Sequence, residues 1–423
     1  MKISLQKTKM GFRQHDQDLS NNDRRGFMKK MGLVALTTGL TGCGKEFAQA
    51  PVSSQIRIPI PTYESFGLRP IINCLGTLTS MGGSLMLPET KMAMEEASKQ
   101  YIPMAELIEA VGRRLAELSG AEWGCVTSGA AGALVAATAG CVAGEDKEKM
   151  AQLPDTAGLK NELLAVKPHL EAYEFYQRTI DIKMKEIETV KKLEDAINDR
   201  TAIIFVWGEH LVDSSFSLED IVRIGKKYNI PILVDAAAER PDVPNVYLEA
   251  GCDLVVYSGG KCLRGPQCAG LLLGRKDLVH AASMNIAPFS AVGRTMKVGK
   301  EEIVGVVAAL DLWINGRNHD AEWKEWERKL KHISDAITSI STVTTEVVQP
   351  YRPSNYAPSL SIKWDRNLVK ISPAEVQEQL DKGEPRIKMS AGGNGMQIMS
   401  YMLEKGDEIP VGRRLNEILS GAV

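Results

Sequence analysis

The sequence predicts an α/β fold: a large domain built on a mostly parallel sheet, followed by a smaller α+β C-terminal domain. Three observations carry that prediction. Short continuous apolar runs alternate with helix-period segments between residues 123 and 273, the pattern of strands buried on both faces and covered by helices. Beyond residue 310 the pattern changes to alternating strands and amphipathic helices,. The 423 residues are 44% hydrophobic and 25% charged, ordinary for a globular chain and ample for more than one core.

The segments follow in order. Residues 1–42 stand outside the fold. Asp23-Arg24-Arg25-Gly26-Phe27-Met28-Lys29 resembles the twin-arginine export motif. A weakly apolar run after it is too short to span a bilayer and ends in Leu40-Thr41-Gly42-Cys43, which resembles a lipobox,. Together they predict a signal peptide over 1–42, lipidation of Cys43, and export of the folded protein. It would be periplasmic or at the cell surface, held to the membrane only through its lipid. Without residues 1–42, which hold eight of the 51 Lys/Arg and three of the 53 Asp/Glu, the net charge moves from −2 to −7. An acidic chain is a poor partner for nucleic acid. Residues 43–67 are read as a tether.

The large domain is placed at 68–310. Helix-period sequence runs from about 88 to 118, interrupted near Pro103. Strands are predicted at 123–127, 163–166, 201–207, 230–234, 254–257 and 269–273. Residues 217–228 read as a helix capped by Ser217, with Asp220 three residues on. Residues 311–423 form a linking helix and the small domain. One long polar helix is expected over 301–334, strands at 356–364, 386–389 and 395–398, and helices at 373–382 and 414–419. The six cysteines after Cys43 show neither disulfide nor zinc spacing and are read as buried thiols, with no metal site.

Two of the predicted strands end in chemistry. Val234-Asp235-Ala236-Ala237 closes one buried run with a carboxylate, and the next run leads into Ser258-Gly259-Gly260-Lys261. Ligands of α/β sheets bind beyond the carboxyl ends of strands. Pyridoxal chemistry needs this pair: an amine to form an imine with the cofactor aldehyde, and a carboxylate to keep the pyridine nitrogen protonated. Taken singly, Asp235 also fits a helix N-cap and Lys261 a surface turn. Between a strand and a helix, Ser128-Gly129-Ala130 offers bare amides and a helix N-terminus to a phosphate; alone, it fits a tight turn equally well.

A family resemblance joins these pieces. Ser258-Gly259-Gly260-Lys261-Cys262-Leu263-Arg264-Gly265-Pro266-Gln267, then Ala269-Gly270-Leu271, resembles the cofactor-lysine segment of the bacterial selenocysteine synthase (seryl-tRNA selenium transferase) superfamily. Within it, the chain is similar to the D-glucosaminate-6-phosphate ammonia-lyase branch. Gly293-Arg294-Thr295-Met296-Lys297-Val298-Gly299-Lys300-Glu301-Glu302 carries the same resemblance, as does Arg69-Pro70-Ile71-Ile72-Asn73 with Gly76-Thr77. It runs from about 68 to 310, and more weakly to the end.

The resemblance implies the PLP-dependent transferase-like fold (aspartate aminotransferase fold type I), pyridoxal 5'-phosphate as cofactor, and a homodimer or higher homo-oligomer. It makes Lys261 the Schiff-base lysine and Asp235 the partner of the ring nitrogen. Ser128, Gly129, Ala130 and Ser258 would line the cofactor, and His169 would lie against its ring. Arg264, Gln267, Arg294 and Lys297 become candidates for anionic groups, and Arg386 for a clamp on the substrate carboxylate. The strand-end loop holding Glu209, His210 and Asp213 would face the site.

The expected reaction removes ammonia from a small anionic amino acid or amino sugar acid by α,β-elimination, leaving a 2-keto acid. An aminotransferase or racemase is the near alternative. A non-catalytic lipid-anchored binding protein that kept the fold is the alternative of another class. Transfer to a charged tRNA does not fit an acidic, exported chain.

Overall fold

A computed structural model describes residues 60–166, 178–393 and 395–423 of the chain. The predicted signal segment, Cys43 and His169 lie outside the described residues. Residues 62–423 form one compact unit.

After a short N-terminal strand β1 (Ile72–Cys74), seven strands make the large sheet: β2 (Trp123–Ser128), β3 (Glu162–Val166), β4 (Lys183–Ile187), β5 (Thr201–Trp207), β6 (Ile232–Asp235), β7 (Leu254–Ser258) and β8 (Ala269–Gly274). Their order is β2-β8-β7-β6-β5-β3-β4. β8 runs antiparallel to both its neighbours, and the remaining pairs are parallel. Burial on both faces explains the unbroken apolar runs. Ile203 and Ile204, Leu233 and Val234, Leu254 and Val255 are each 0% exposed. Alternate residues feed opposite cores. Ile204, Val234 and Val255 pack with Leu115 of α2 (Met104–Ser119) and Ile221 of α4 (Leu218–Tyr228). Ile203, Leu233 and Leu254 pack with Leu134 of α3 (Gly129–Ala143) and Val279 of α5 (Lys276–Met284). α1 (Pro88–Ser98) precedes α2, with the break at Pro103 as expected. The Ser217 hydroxyl caps α4 by accepting from the Asp220 N–H.

The second sheet has five strands in the order β1-β11-β12-β10-β9, with β9 at Thr344–Val348, β10 at Ser359–Lys363, β11 at Ile387–Gly392 and β12 at Gly395–Met399. β1 pairs parallel with β11, Ile72 opposite Ile387. The opening segment of the 68–310 domain is therefore a strand of the C-terminal sheet. Edge strands β4 and β9, which the sequence reading missed, are short and largely exposed, so no apolar run announces them.

The single helix expected over 301–334 is two. α6 (Lys300–Asp311) ends in a π-turn, Leu312–Gly316, and α7 (His319–Ile337) starts afresh with the Asn318 side chain accepting from the Ala321 N–H. Arg317 at the break is turned inward. It makes a two-pronged pair with Glu322, at 2.8 and 2.9 Å, and donates to the Cys262 carbonyl at 2.7 Å. Helices α8 (Pro373–Lys382) and α9 (Glu408–Ser420) complete the small core with α7. No described helix is long and apolar enough to cross a membrane. All six described cysteines are free, and Cys268 is exposed, against the expectation of burial.

Candidate active site

The site is assembled where adjacent central strands run out. Asp235 closes β6 opposite Val256 of β7. The chain after it stays bonded to β7: Ala236 N–H donates to the Val256 carbonyl at 3.0 Å, and Ser258 N–H to the Ala237 carbonyl at 3.1 Å. This extension holds the Asp235 carboxylate at a fixed height beside the end of β7. Asp235 is 7% exposed, and its Oδ1 accepts from the Ala237 N–H at 3.0 Å.

Lys261 sits three residues beyond Ser258, half-buried, in a turn tied at both ends. Gly259 N–H donates to Ala269 O and Gly265 N–H to Gly259 O, both at 2.8 Å. Cys262, the next residue, donates its thiol to the Glu239 carbonyl at 2.9 Å. Burial pushes that thiol up to about 12, so it is a packing group and not a nucleophile. The Asp235 and Lys261 turns are thus stitched to each other.

The anion cradle lies two strands away from β7, in the order β2-β8-β7. β2 ends at Ser128 and α3 begins at Gly129 with no loop between them. Gly129 has φ +69 and Ser128 makes no capping side-chain bond. The first-turn amides of α3 and the Ser128 hydroxyl therefore remain for a ligand at the positive end of a fifteen-residue helix,. A close approach makes the cradle flat: a Cβ on Gly270 of β8 would stand 2.3 Å from the Gly129 carbonyl carbon and 2.6 Å from Ala130 N. Only glycine at 270 lets the cradle lie on the sheet.

A strap from the N-terminal side crosses the lysine turn. Ser84 N–H donates to Gly260 O at 2.9 Å, and Leu87 N–H to Arg264 O at 3.1 Å. Arg264 returns a bond to Leu85 O at 2.9 Å and pairs with Glu404 at 2.6 Å. Gln267 donates to Thr79 O at 3.3 Å. These two predicted substrate residues are thus occupied in holding the strap. Arg294 and Lys297 are exposed and make no ion pair among the described residues. Met296 between them reaches within 3.9 Å of where a Cβ on Gly132 would be, so their segment lies against the first turns of α3.

Arg386 is placed elsewhere. It pairs with Asp381 of α8 at 2.6 Å, Lys388 pairs with the same carboxylate at 2.8 Å, and its carbonyl accepts from the Ile72 N–H where β1 joins the small sheet. The two cations, Arg386 foremost, hold the Asp381 carboxyl down to about 2. None of the bonds described joins Arg386 to the Lys261 or Asp235 turns; its side chain is engaged by Asp381 instead.

Sequence reasoning missed Glu239, four residues beyond Asp235. It is 3% exposed, its Oε2 accepts from the Tyr247 hydroxyl at 2.6 Å, and its Oε1 is buried without a hydrogen bond. A Cβ on Gly208, just past β5, would meet that Oε1 at 2.3 Å. Burial, with the nearby Asp235 and Glu209 charges, raises the Glu239 carboxyl to about 8 despite the Tyr247 bond. That shift favours the protonated form of Glu239 near neutral pH. The signal was a carboxylate inside an otherwise apolar Ala-Ala-Ala-Glu turn.

The strand-end loop is the turn Gly208–Asp213 after β5. His210 packs edge-on against Trp207, ring centroids 4.6 Å apart, with Glu209 at 3.4 Å. Arg352, from the link between β9 and β10, pairs with Asp213 and lies 3.4 Å from His210 Nδ1. No group of three or more His, Cys, Asp or Glu among the described residues is arranged to hold a metal.

Comparison with known proteins adds the following. The aminotransferase class-V profile matches residues 105–406. The D-glucosaminate-6-phosphate ammonia lyase of Salmonella typhimurium is 28% identical over 76% of this chain and 87% of its own. A 5'-C-glycyluridine monooxygenase-decarboxylase of a Streptomyces species is 29% identical over 84% of this chain and 92% of its own. An L-seryl-tRNA(Sec) selenium transferase of Carboxydothermus hydrogenoformans is 28% identical over 70% and 68%. Among solved structures, a D-glucosaminate-6-phosphate ammonia-lyase superposes with a TM-score of 0.77 at 26% identity, covering 86% of this chain and 99% of that one.

Proposed function

The chain belongs to the aminotransferase class-V family, and from that premise we propose that it is a pyridoxal-phosphate-dependent carbon–nitrogen lyase. Its substrate is an amino acid or amino sugar acid, and its products are ammonia and a 2-keto acid. One observation carries the reading: cradle, lysine and carboxylate stand in that order across β2, β8, β7 and β6, all at the same strand ends of the sheet. The likeness to the ammonia-lyase over most of both chains gives the reaction.

The residues fit the cofactor. The α3 amides with Ser128, Gly129 and Ala130 take the phosphate, Lys261 the aldehyde, and Asp235 the ring nitrogen. When bound, pyridoxal phosphate supplies an electron sink for the pair left by a broken bond at the substrate α-carbon. Asp235 keeps a proton on the ring nitrogen, helped by a neutral Glu239 that adds no second charge. Lys261 Nζ would take the substrate α-proton as general base. The strap from Thr79 to Leu87 covers the lysine turn and excludes water from that side.

A chain 29% identical is named a monooxygenase-decarboxylase, and we assign the choice of bond to the residues that orient the substrate. We further propose a homodimer, which would cover large apolar side chains left exposed on the strap and beyond α1, Leu85 at 63% and Tyr101 wholly exposed. Export and lipidation at Cys43 rest on the ordered twin-arginine and lipobox motifs.

The test is direct. Purified protein is expected to be yellow, and borohydride is expected to bleach it and leave a pyridoxyl mass on the Lys261 peptide. Lys261→Ala is expected to abolish ammonia release. Strict dependence of turnover on an added keto acid would make the protein an aminotransferase instead.

A further inference from the structure

The link between β9 and β10 belongs to the small sheet but is seated on the strand ends of the large one. Asn355 N–H donates to the Ala238 carbonyl at 2.9 Å, three residues beyond Asp235. Its Oδ1 accepts from the Thr77 hydroxyl at 2.6 Å and the Thr77 N–H at 3.3 Å. Asn355 adopts φ +45, a left-handed conformation that asparagine tolerates better than most residues,. The link is therefore built to hold its position beside the site.

Arg352, three residues earlier, faces the turn after β5. Its Nη2 bonds Asp213, and its Nη1 has a long 3.4 Å contact with His210 Nδ1. Its Nε is buried and has no hydrogen-bond partner among the described residues. The side chain is nevertheless 32% exposed, and Asp213 39%, so the pair lies at the solvent boundary with its Nε edge turned inward. A buried donor without an acceptor costs roughly 1–3 kcal/mol, which a ligand able to satisfy it would recover. Nε and Nη2 share one edge of the guanidinium, the edge that grips two oxygens of a carboxylate or phosphate side by side. Here that edge is half used: Asp213 holds Nη2 and nothing holds Nε.

We propose that Arg352 is the oxyanion receptor of the substrate pocket, and that Asp213 is a latch which parks the guanidinium and yields to the substrate's carboxylate or phosphate. This deepens the lyase reading and rests on it for the site's identity. Arg352 is a specificity residue: it selects an amino substrate carrying an oxyanion and fixes which α-carbon bond stands over the ring.

The test measures binding, not turnover. The cofactor-loaded enzyme is titrated calorimetrically with D-gluconate 6-phosphate, which carries both oxyanions but no amine to react, and with gluconate and glucose 6-phosphate, which carry one each. Arg352→Gln is expected to weaken D-gluconate 6-phosphate about 30-fold or more. Arg352→Lys, which keeps the charge but loses the fork, is expected to weaken it about tenfold and serves if the first variant fails to fold. Asp213→Asn is expected to leave affinity unchanged or tighten it, and the single-oxyanion probe that loses affinity identifies the group bound. All variants should keep the wild-type cofactor band.

If Arg352 only bolts the link in place, both Arg352→Gln and Asp213→Asn lower Tm alike and neither changes affinity, which overturns the proposal. Wild-type enzyme that binds none of the probes overturns it too. Because no step needs turnover, a failure to release ammonia would sink the lyase reading without deciding this one.

Discussion

The two sheets are made in opposite ways. The large one is laid down by consecutive chain between Trp123 and Gly274, with central strands wholly buried. The small one joins β1 at residue 72 to strands after residue 344, and its β9 edge is mostly exposed. Each sheet contributes a different half of the chemistry. Under the proposed lyase reading, bond breaking falls to Asp235, Lys261 and the α3 cradle, all in the contiguous sheet. The N-terminal strap and the β9–β10 link, which meet the site from outside, come from the split one. A fold built this way can keep its cofactor machinery fixed while varying what it admits.

The comparison is sharpest where the large sheet is damaged. Asp235→Asn is expected to lower ammonia release about 1,000-fold, ~4 kcal/mol of transition-state stabilisation, while the cofactor band remains. Near-normal exchange of the substrate α-proton in this variant would remove Asp235 from the chemistry.

Glu239→Gln keeps the acceptor for Tyr247 but cannot ionise. The wild-type carboxyl, raised from 4.5 to about 8, adds stability that is fully present below pH 4.5 and is lost as pH rises to about 8. That loss has an upper size on the order of 4 kcal/mol. Urea midpoints at pH 5, 7 and 9 are therefore expected to fall more in wild type than in Glu239→Gln. Parallel curves would mean that Glu239 is already ionised at pH 5.

Gly270→Ala presses a methyl group into the Gly129 backbone and is expected to cost about 1–3 kcal/mol. Its mark should be cofactor loss on dialysis ahead of any fall in Tm. Normal cofactor retention would show that the cradle can shift.

The smallest effect is assigned to the small sheet. Arg386→Lys is expected to leave turnover within about twofold, since its pair with Asp381 is partly exposed and worth about 1 kcal/mol or less. A large rise in KM would restore Arg386 as the clamp.

This division also separates what was legible in the sequence from what was not. Buried runs ending in Asp235 or leading to Lys261 are local patterns, and so is the passage from β2 into α3. Their fold and family were readable for that reason. Arg386 was assigned by its place in a segment, yet the side chain turns to Asp381, five residues before it. Arg264 and Gln267 look like ligand residues because they flank the lysine, but a strap about 180 residues earlier in the chain occupies them. Arg352 carries no motif, and a contact between distant segments, Asn355 with Ala238, brings it beside the site; Glu239 follows Asp235 by four residues, but its burial depends on packing against Gly208 and Tyr247 that no local pattern shows.

The pairing of β1 with β11 has a consequence for biosynthesis. Ile72 leaves the ribosome early, but its partner Ile387 emerges only when the chain is almost finished. Until then the first strand has no sheet to join, and the strap that follows it is anchored at one end only. The bonds from the strap to the lysine turn can form once residues 260–267 have emerged, but the upstream end of the strap is fixed only when the two ends of the chain meet. A chain that stops short of residue 387 is expected to build the seven-stranded sheet yet hold the strap over Lys261 only through its bonds to residues 260–267, without the β1 anchor,.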